Sequence, residues 1–506
     1  GGAAAYALSQ NAQGKKIVVL ERGELYTSDD FNQLERDMVP ALYRTPGFRP
    51  TDEFGVVVLQ GSLVGGTAVL NHAICYEVPP KVTLDWKVKD GTDELDISEQ
   101  LKAGGYYKKV QEMIHYKEIR HFSLNKNAQV LLRGIKEMKA DEGPEGLHGV
   151  FEYHTRNTKA KIEPDGNAGE NYHELTCTGC GCCPLGCRYD RKQTPLITFI
   201  PAAIQNGLDK VGGNEVRIFK NAEVSEVLHE GGEVTGVRVG GKVIQAKTVI
   251  AACGALNSAR LLMNSGIDNA QLGRNIALHP SPLVYALFDE DIYADWGVPM
   301  AASYIENQFP DKDETFPDGF GYILETIYSH PATAALTMPF VTMKERMKDY
   351  NKMSSVAIIL HDKPVGVIKN PKSPLTCVSY KVDAEDKKKL RHGIKTAARI
   401  YLKAGAKEVF TSHEKEVVFR SEADLDKADA CDFEPGDILL ASAHPQGGCM
   451  MGSKGKGVVD YNGHSHDIKN LYVSDASLYP TSLGVNPQLT TMAMGMKIGE
   501  YIANKQ

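Results

Sequence analysis

Gly1-Gly2-Ala3-Ala4-Ala5-Tyr6-Ala7-Leu8, followed by Lys15-Lys16-Ile17-Val18-Val19-Leu20-Glu21, is the stretch that decides the fold. Its small residues carry a helical pattern to Ser9. The apolar run after them reads as a short buried parallel strand that ends in an acid. In a dinucleotide-binding fold, glycines open the first helix and a pyrophosphate rests on its N-terminus. An acid at the end of the second strand then binds the ribose hydroxyls. Glu21 follows the glycines at about the required 20 residues. The first strand and its leading glycine do not precede Gly1, so the native N-terminus is expected to be truncated. A plain helix–strand unit is the competing reading.

The same grammar recurs further along. Gly61-Ser62-Leu63-Val64-Gly65-Gly66-Thr67 precedes Asn71 and His72 and reads as a loop feeding a helix. Its glycines would let backbone approach a flat ligand closely. Residues 101–114 and 127–139 have helical spacing. Residues 216–219, 222–228 and 234–239 are β-like, with Gly231-Gly232 and Gly240-Gly241 at turns. Residues 246–252 form a strand that turns at Cys253-Gly254-Ala255 into a helix over 257–265. From 281 to 440 the character changes. Residues 355–360 and 375–382 alternate like an antiparallel sheet, and 383–404 is an amphipathic helix. The C-terminal part returns to motif-like sequence with His444-Pro445-Gln446-Gly447-Gly448-Cys449 and Gly484-Val485-Asn486-Pro487-Gln488. A small-residue helix over 490–504 follows.

Composition bounds the function. The 506 residues exceed one minimal domain, and 42% hydrophobic with 24% charged residues is ordinary for a globular protein. Lys plus Arg is 57 against 64 Asp plus Glu, a net charge of -7 with no basic block. That balance argues against a nucleic-acid partner. No apolar run is long enough for a transmembrane segment. Five of the ten cysteines crowd into residues 177–187, a pattern of metal or cluster binding in a reducing compartment rather than of a secreted disulfide scaffold. The thiols and the lack of a visible signal peptide favour a cytoplasmic location.

These pieces, in this order, resemble the glucose-methanol-choline (GMC) family of flavin oxidoreductases. The resemblance is carried by Gly1-Gly2, Glu21-Arg22-Gly23, Gly65-Gly66-Thr67, residues 251–258, Gly273-Arg274-Asn275 with His279-Pro280, residues 444–452 and residues 475–487. It implies an α/β fold: a discontinuous Rossmann-like FAD-binding domain and an α+β substrate domain with an antiparallel sheet. The expected boundaries are 1–80, 188–280 and 441–506 for the first, and 81–176 with 281–440 for the second. Residues 177–187 form a Cys-rich insert between them.

The resemblance further implies oxidation of an alcohol to an aldehyde or ketone by hydride transfer to flavin N5. His444 stands where the family places its base, and Asn486 at the second catalytic position. A neutral imidazole suits the first role near pH 7, and an amide can donate to a developing oxyanion. Gly1, Gly2 and Glu21 are implied to hold the adenosine and pyrophosphate, and Val224 to meet the adenine edge. Gly65, Gly66, Asn71, Asp475, Ala476 and Pro487 are implied along the ribityl chain and ring. Leu70 occupies the position where some relatives link FAD to His, so the FAD is expected to be non-covalent. His72 is not expected to carry a flavin link, and His464 and His466 read as part of a surface loop.

Cys177, Cys180, Cys183 and Cys187 follow the C-x2-C-x2-C-x3-C spacing of bacterial ferredoxins, with Cys182 as an alternate ligand. An iron–sulfur cluster is expected, 4Fe-4S with 3Fe-4S as the variant. Zinc and a structural thiol patch are the competing readings. A cluster beside FAD would relay electrons to an acceptor protein or subunit and favour a dehydrogenase. The alternatives are an oxygen-using long-chain or sterol alcohol oxidase with a structural Cys patch, a sugar dehydrogenase, or a redox-inactive flavoprotein scaffold. An apolar alcohol is expected, given Met300, Tyr304, Phe320, Tyr322 and Met338 in β-like stretches, although residues of this kind more often serve as core packing.

Overall fold

The computed structural model describes residues 1–44, 49–118, 124–142, 149–153, 155–157, 177–306, 316–373 and 378–505. The opening glycines start a helix, Gly2–Asn11, with Ala3, Ala4, Ala5 and Ala7 buried. These residues are small because two helices press on this one, Phe199–Leu208 and the C-terminal Gln488–Lys505. A Cβ on Gly499 would come within 2.7 Å of the Ala4 carbonyl oxygen, so only glycine allows that approach.

The strand Lys16–Leu20 pairs in parallel with Glu215–Phe219, in register from Lys16 opposite Glu215 to Leu20 opposite Phe219. Val249–Ala251 pairs in parallel with Leu471–Val473. Parallel neighbours need long crossovers, so strands distant in sequence are brought together here. An antiparallel meander, Val224–Glu230, Glu233–Val239 and Lys242–Gln245, follows in the chain as a separate three-stranded sheet.

The second unit is a seven-stranded antiparallel sheet. Its order is Val418–Phe419, Glu408–Thr411, Leu283–Leu287, Met353–Leu360, Tyr322–Thr326, Ala302–Glu306 and Val150–Tyr153. Every residue of the central Met353–Leu360 strand is buried. The helix Ala384–Lys403 packs on it, started by Asp383, whose side chain accepts from the Glu385 amide. A mixed α/β fold with an antiparallel substrate-side sheet is thus present, as expected.

Local differences have local causes. The helix expected over 101–114 is two helices, Ile97–Ala103 and Tyr106–Met113, broken because Gly105 adopts φ 66°. Both pack on Gln488–Lys505. Residues 375–377 of the strand expected over 375–382 lie outside the described residues; Val378–Ser379 pairs with Val367–Ile368. Residues 158–176 of the expected 81–176 segment lie outside them too. No helix among the described residues is long and apolar enough to cross a membrane.

Candidate active site

A cavity of about 2150 Å³ runs from the opening helix to the face of the seven-stranded sheet. Gly1, Gly2, Glu21, Gly65, Gly66, Asn71, Val224, Asp475, Ala476 and Pro487 all line it, together with His444 and Asn486. Residues drawn from both ends of the chain therefore share one wall.

The end formed by the opening helix suits an anionic, flat-ringed ligand. The helix Gly2–Asn11 has no side-chain cap and no acid in its first turn, which leaves its N-terminal amides and positive dipole end for a phosphate. Gly65 and Gly66 have φ 96° and 67°, and a Cβ on Gly66 would meet nothing within 4 Å. Arg22 and Arg44, which the sequence reading left without a role, line the same region. Both contact Glu223 at 3.6 Å, yet Arg22 Nη1 and Arg44 Nε are buried without a hydrogen-bond partner. Glu21 accepts from the Gly23 amide at 2.7 Å, and burial raises its carboxyl above the ordinary range. A helix N-terminus, two incompletely satisfied guanidiniums, bare glycine turns and an acid fit FAD.

Asp475 locks the middle of the cavity. It accepts from the Gly254 amide at 2.9 Å, the Ser477 amide at 2.8 Å and the Ser258 hydroxyl. One carboxylate thus joins the turn after Val249–Ala251 to the turn after Leu471–Val473. Asn71 donates to Gln488 Oε1 at 2.7 Å and accepts from the Ala73 amide at 2.9 Å. Leu70 and His72 also line the cavity, whereas His464 and His466 do not. His466 is instead held to the Gly452 carbonyl at 2.9 Å.

The reactive end is a polar chain. Asn486 Nδ2 lies 3.3 Å from His444 Nε2, and His444 Nδ1 lies 3.2 Å from His279 Nδ1. His279 Nε2 reaches Ser482 Oγ at 2.7 Å, closer than the 3.1 Å approach of the Gln446 amide. An amide donating to His444 Nε2 needs a lone pair there. The His444 proton then sits on Nδ1 and is donated to His279, which carries its own proton on Nε2 toward Ser482. Burial lowers His444 to about 4, so the ring is neutral at ordinary pH. Burial likewise holds His279 well below the ordinary imidazole range, with His444 and His361 adding to it. His279 is held in the left-handed region at φ 51°, and its amide donates to Asp362 at 3.2 Å. The sequence reading quoted His279 within a motif but assigned it no role. Of the residues expected to make the pocket apolar, Met300 lines the cavity. Tyr304, Phe320, Tyr322 and Met338 are buried core side chains outside that lining.

The cluster expectation finds no support in this geometry. Cys177, Cys180, Cys182, Cys183 and Cys187 do surround one void, but it measures about 20 Å³. That is the room of about one water molecule. Among the described residues no three His, Cys, Asp or Glu side chains are grouped to hold a metal ion. The thiols of the run have hydrogen-bond partners of their own, among them Gln33, which donates to Cys180 Sγ at 3.6 Å. Cys182 donates to the Cys180 carbonyl at 3.3 Å, and Cys187 Sγ accepts from the Lys192 amide at 3.3 Å. The run is seated on a neighbouring loop: Cys180 bridges Gly297, and a Cβ on Gly181 would lie 2.1 Å from the Asp295 carbonyl. Lys192 ties it to the cavity wall, donating to the carbonyls of Cys183 at 2.8 Å and Asn71 at 2.6 Å.

Family models described as GMC oxidoreductase match residues 39–281 and 368–495. The chain belongs to the GMC oxidoreductase family. The motif resemblance and the family match therefore agree. Two long-chain-alcohol oxidases of Arabidopsis thaliana are similar over nearly the whole chain. One, FAO4A, is 25% identical over 99% of this chain and 66% of its own length. The other, FAO1, is 27% identical over 99% of this chain and 65% of its own length. The chain thus spans slightly less than two thirds of these GMC relatives. The crystal structure of pyridoxine 4-oxidase from Mesorbium loti has a TM-score of 0.63 at 16% identity, covering 99% of this chain and 97% of that one. At that identity the likeness concerns the fold.

Proposed function

We propose that the chain catalyses FAD-dependent oxidation of an apolar alcohol to an aldehyde or ketone. The observation that carries this reading is the His444–Asn486 pair, 3.3 Å apart, in the wall of a cavity whose other end suits a dinucleotide. Gly1, Gly2, Glu21, Arg22, Arg44, Gly65, Gly66 and Asp475 would hold the FAD, and Val224 would lie at its adenine end. Bound FAD would supply the hydride acceptor.

The chain's own residues do the rest. Neutral His444 takes the hydroxyl proton at Nε2, because carbon gives up hydride readily only when its oxygen becomes alkoxide-like. Asn486 Nδ2 donates to that oxygen as charge develops. His279 accepts from His444 Nδ1 and holds the ring in the tautomer that leaves Nε2 free. Leu283, Met300, Ile327 and Ile359 line the substrate end and exclude water, which favours an apolar alcohol over a sugar.

Oxygen is the proposed electron acceptor. Relay through a cluster to a partner protein has less support, because the void among the cysteines holds about 20 Å³. The two Arabidopsis relatives described as long-chain-alcohol oxidases point the same way. The test is to load the protein with FAD, offer primary alcohols of increasing chain length, and measure peroxide against aldehyde. Equal amounts are expected. Flavin reduced by alcohol but stable in air would replace oxygen with another acceptor, and flavin unreduced by every alcohol would overturn the reading.

A further inference from the structure

Glu325 sits in the middle of the strand Tyr322–Thr326, 1% exposed, and its side chain lines the reaction cavity. Neither carboxyl oxygen has a hydrogen-bond partner of good geometry, although the Asn486 amide is close enough to act on it, and Asn486 Oδ1 is unsatisfied as well. A buried carboxyl without partners is costly, and the cost persists where a ligand satisfies the group. On the flanking strands the residues opposite Glu325 are Ser303 and Ala357, neither of them ionisable. The ionisable groups around it are Tyr76 and, in the same cavity wall, His444. No lysine or arginine acts on it among the described residues.

Building on the proposed alcohol chemistry, we infer that Glu325 is a third group touching the substrate oxygen: as a neutral acid it donates its O–H to the carbinol oxygen, beside the Asn486 amide. The donation steadies the oxygen as its proton leaves for His444 and its carbon loses hydride. It requires the acid form. Burial raises the Glu325 carboxyl to about 8, with the Asn486 amide opposing, so the group is protonated at neutral pH. Above that pH the site would gain a negative charge next to a developing alkoxide. Tyr76 is pushed well above its ordinary range and His444 down to about 4, so neither titrates near 8.

The test combines kinetics with infrared spectroscopy on the FAD-loaded protein, with 1-octanol as probe. In the wild type, kcat/KM falls about tenfold per pH unit above pH 8, the slope of a single deprotonation. In E325Q that alkaline limb disappears, and the rate at pH 7 drops about tenfold because an amide N–H is a weaker donor. E325L loses about a hundredfold, the low end of the cost of removing one oxyanion donor. In the dithionite-reduced protein, where octanol binds without turnover, the wild-type-minus-E325Q infrared difference shows a protonated-carboxyl band. That band vanishes near pH 8 and shifts when octanol is added. An alkaline limb that survives in E325Q, or a band indifferent to octanol while the wild type oxidises it, overturns this inference and leaves the proposed function standing. A wild type that oxidises no alcohol overturns both.

Discussion

His444 Nδ1 lies 3.2 Å from His279 Nδ1, with the two ring planes 82° apart. One ring therefore points edge-on at the other, and a single proton is shared between two neutral imidazoles, His279 buried and His444 half-buried. Ser482 fixes the far nitrogen of His279 at 2.7 Å. The pair sets which nitrogen of His444 faces Asn486 in the cavity wall.

Replacing His444 by alanine is expected to lower kcat by about 10²–10⁴, the usual worth of a positioned general base. His279→Leu is expected to lower kcat about ten- to a hundredfold with KM little changed, since it removes an orienting partner and no substrate contact. Steady-state kinetics on both variants checks this. Equal losses in KM and kcat for His279→Leu would argue for general disruption.

The acidic limb of the rate profile follows from His444. Its pKa is lowered by burial to about 4, and the base form is the neutral one. Activity is therefore expected to hold as pH falls from 7, and to be lost as pH drops through about 4. A limb at the ordinary imidazole value near 6.5 would mean that His444 is hydrated in the working enzyme.

Glu325 also leaves a mark on stability. Its folded pKa, about 8, is above the ordinary 4.5. Between these values the folded state holds a proton that the unfolded state has released, so stability falls as pH rises across that window. Glu325→Gln removes the linkage. The variant is expected to melt above the wild type at pH 8, with the gap closing toward pH 4.5. Thermal melts at the two pH values read it directly.

Asp475 is expected to be structural and cofactor-holding at once. Asp475→Ala strands the Gly254 and Ser477 amides and the Ser258 hydroxyl. At about 1–3 kcal/mol for each buried group left unsatisfied, a several-kcal/mol loss and release of bound FAD are expected. Urea melts and flavin retention on gel filtration measure both.

Iron and acid-labile sulfide counted on protein purified without oxygen are expected to be absent, with flavin present. Cys182→Ser is expected to keep the flavin and to shift stability by about 1 kcal/mol or less, because a hydroxyl can keep its two weak contacts, to the Cys180 carbonyl and the His330 ring. Stoichiometric iron with a reducible low-temperature EPR signal would restore the cluster.

Much of the site was legible because its motifs are contiguous. Gly1-Gly2, Gly65-Gly66, His444 and Asn486 each sit in a short segment whose local conformation is part of its job, and all line the one cavity. The Rossmann grammar was legible for the same reason: strand, glycine turn and helix are neighbours in sequence. Arg22 stood inside a quoted motif, and Arg44 had no motif. Their half-satisfied guanidiniums become visible only when the cavity closes around them.

The cysteines show the opposite case. Their spacing matched a cluster because spacing governs how thiols can be reached along a chain. It does not govern what else fills the space between them, and here the Asp295–Gly297 backbone presses on the run. Glu325 shows the deepest limit. On an apolar strand it looks like any acid, and nothing adjacent in sequence marks it. The sequence alone determined the family and the dinucleotide grammar and singled out His444 and Asn486, because each is a local conformation with a local signature. The tertiary structure alone decided which buried groups meet across the cavity, because burial and missing partners are properties of packing between segments hundreds of residues apart.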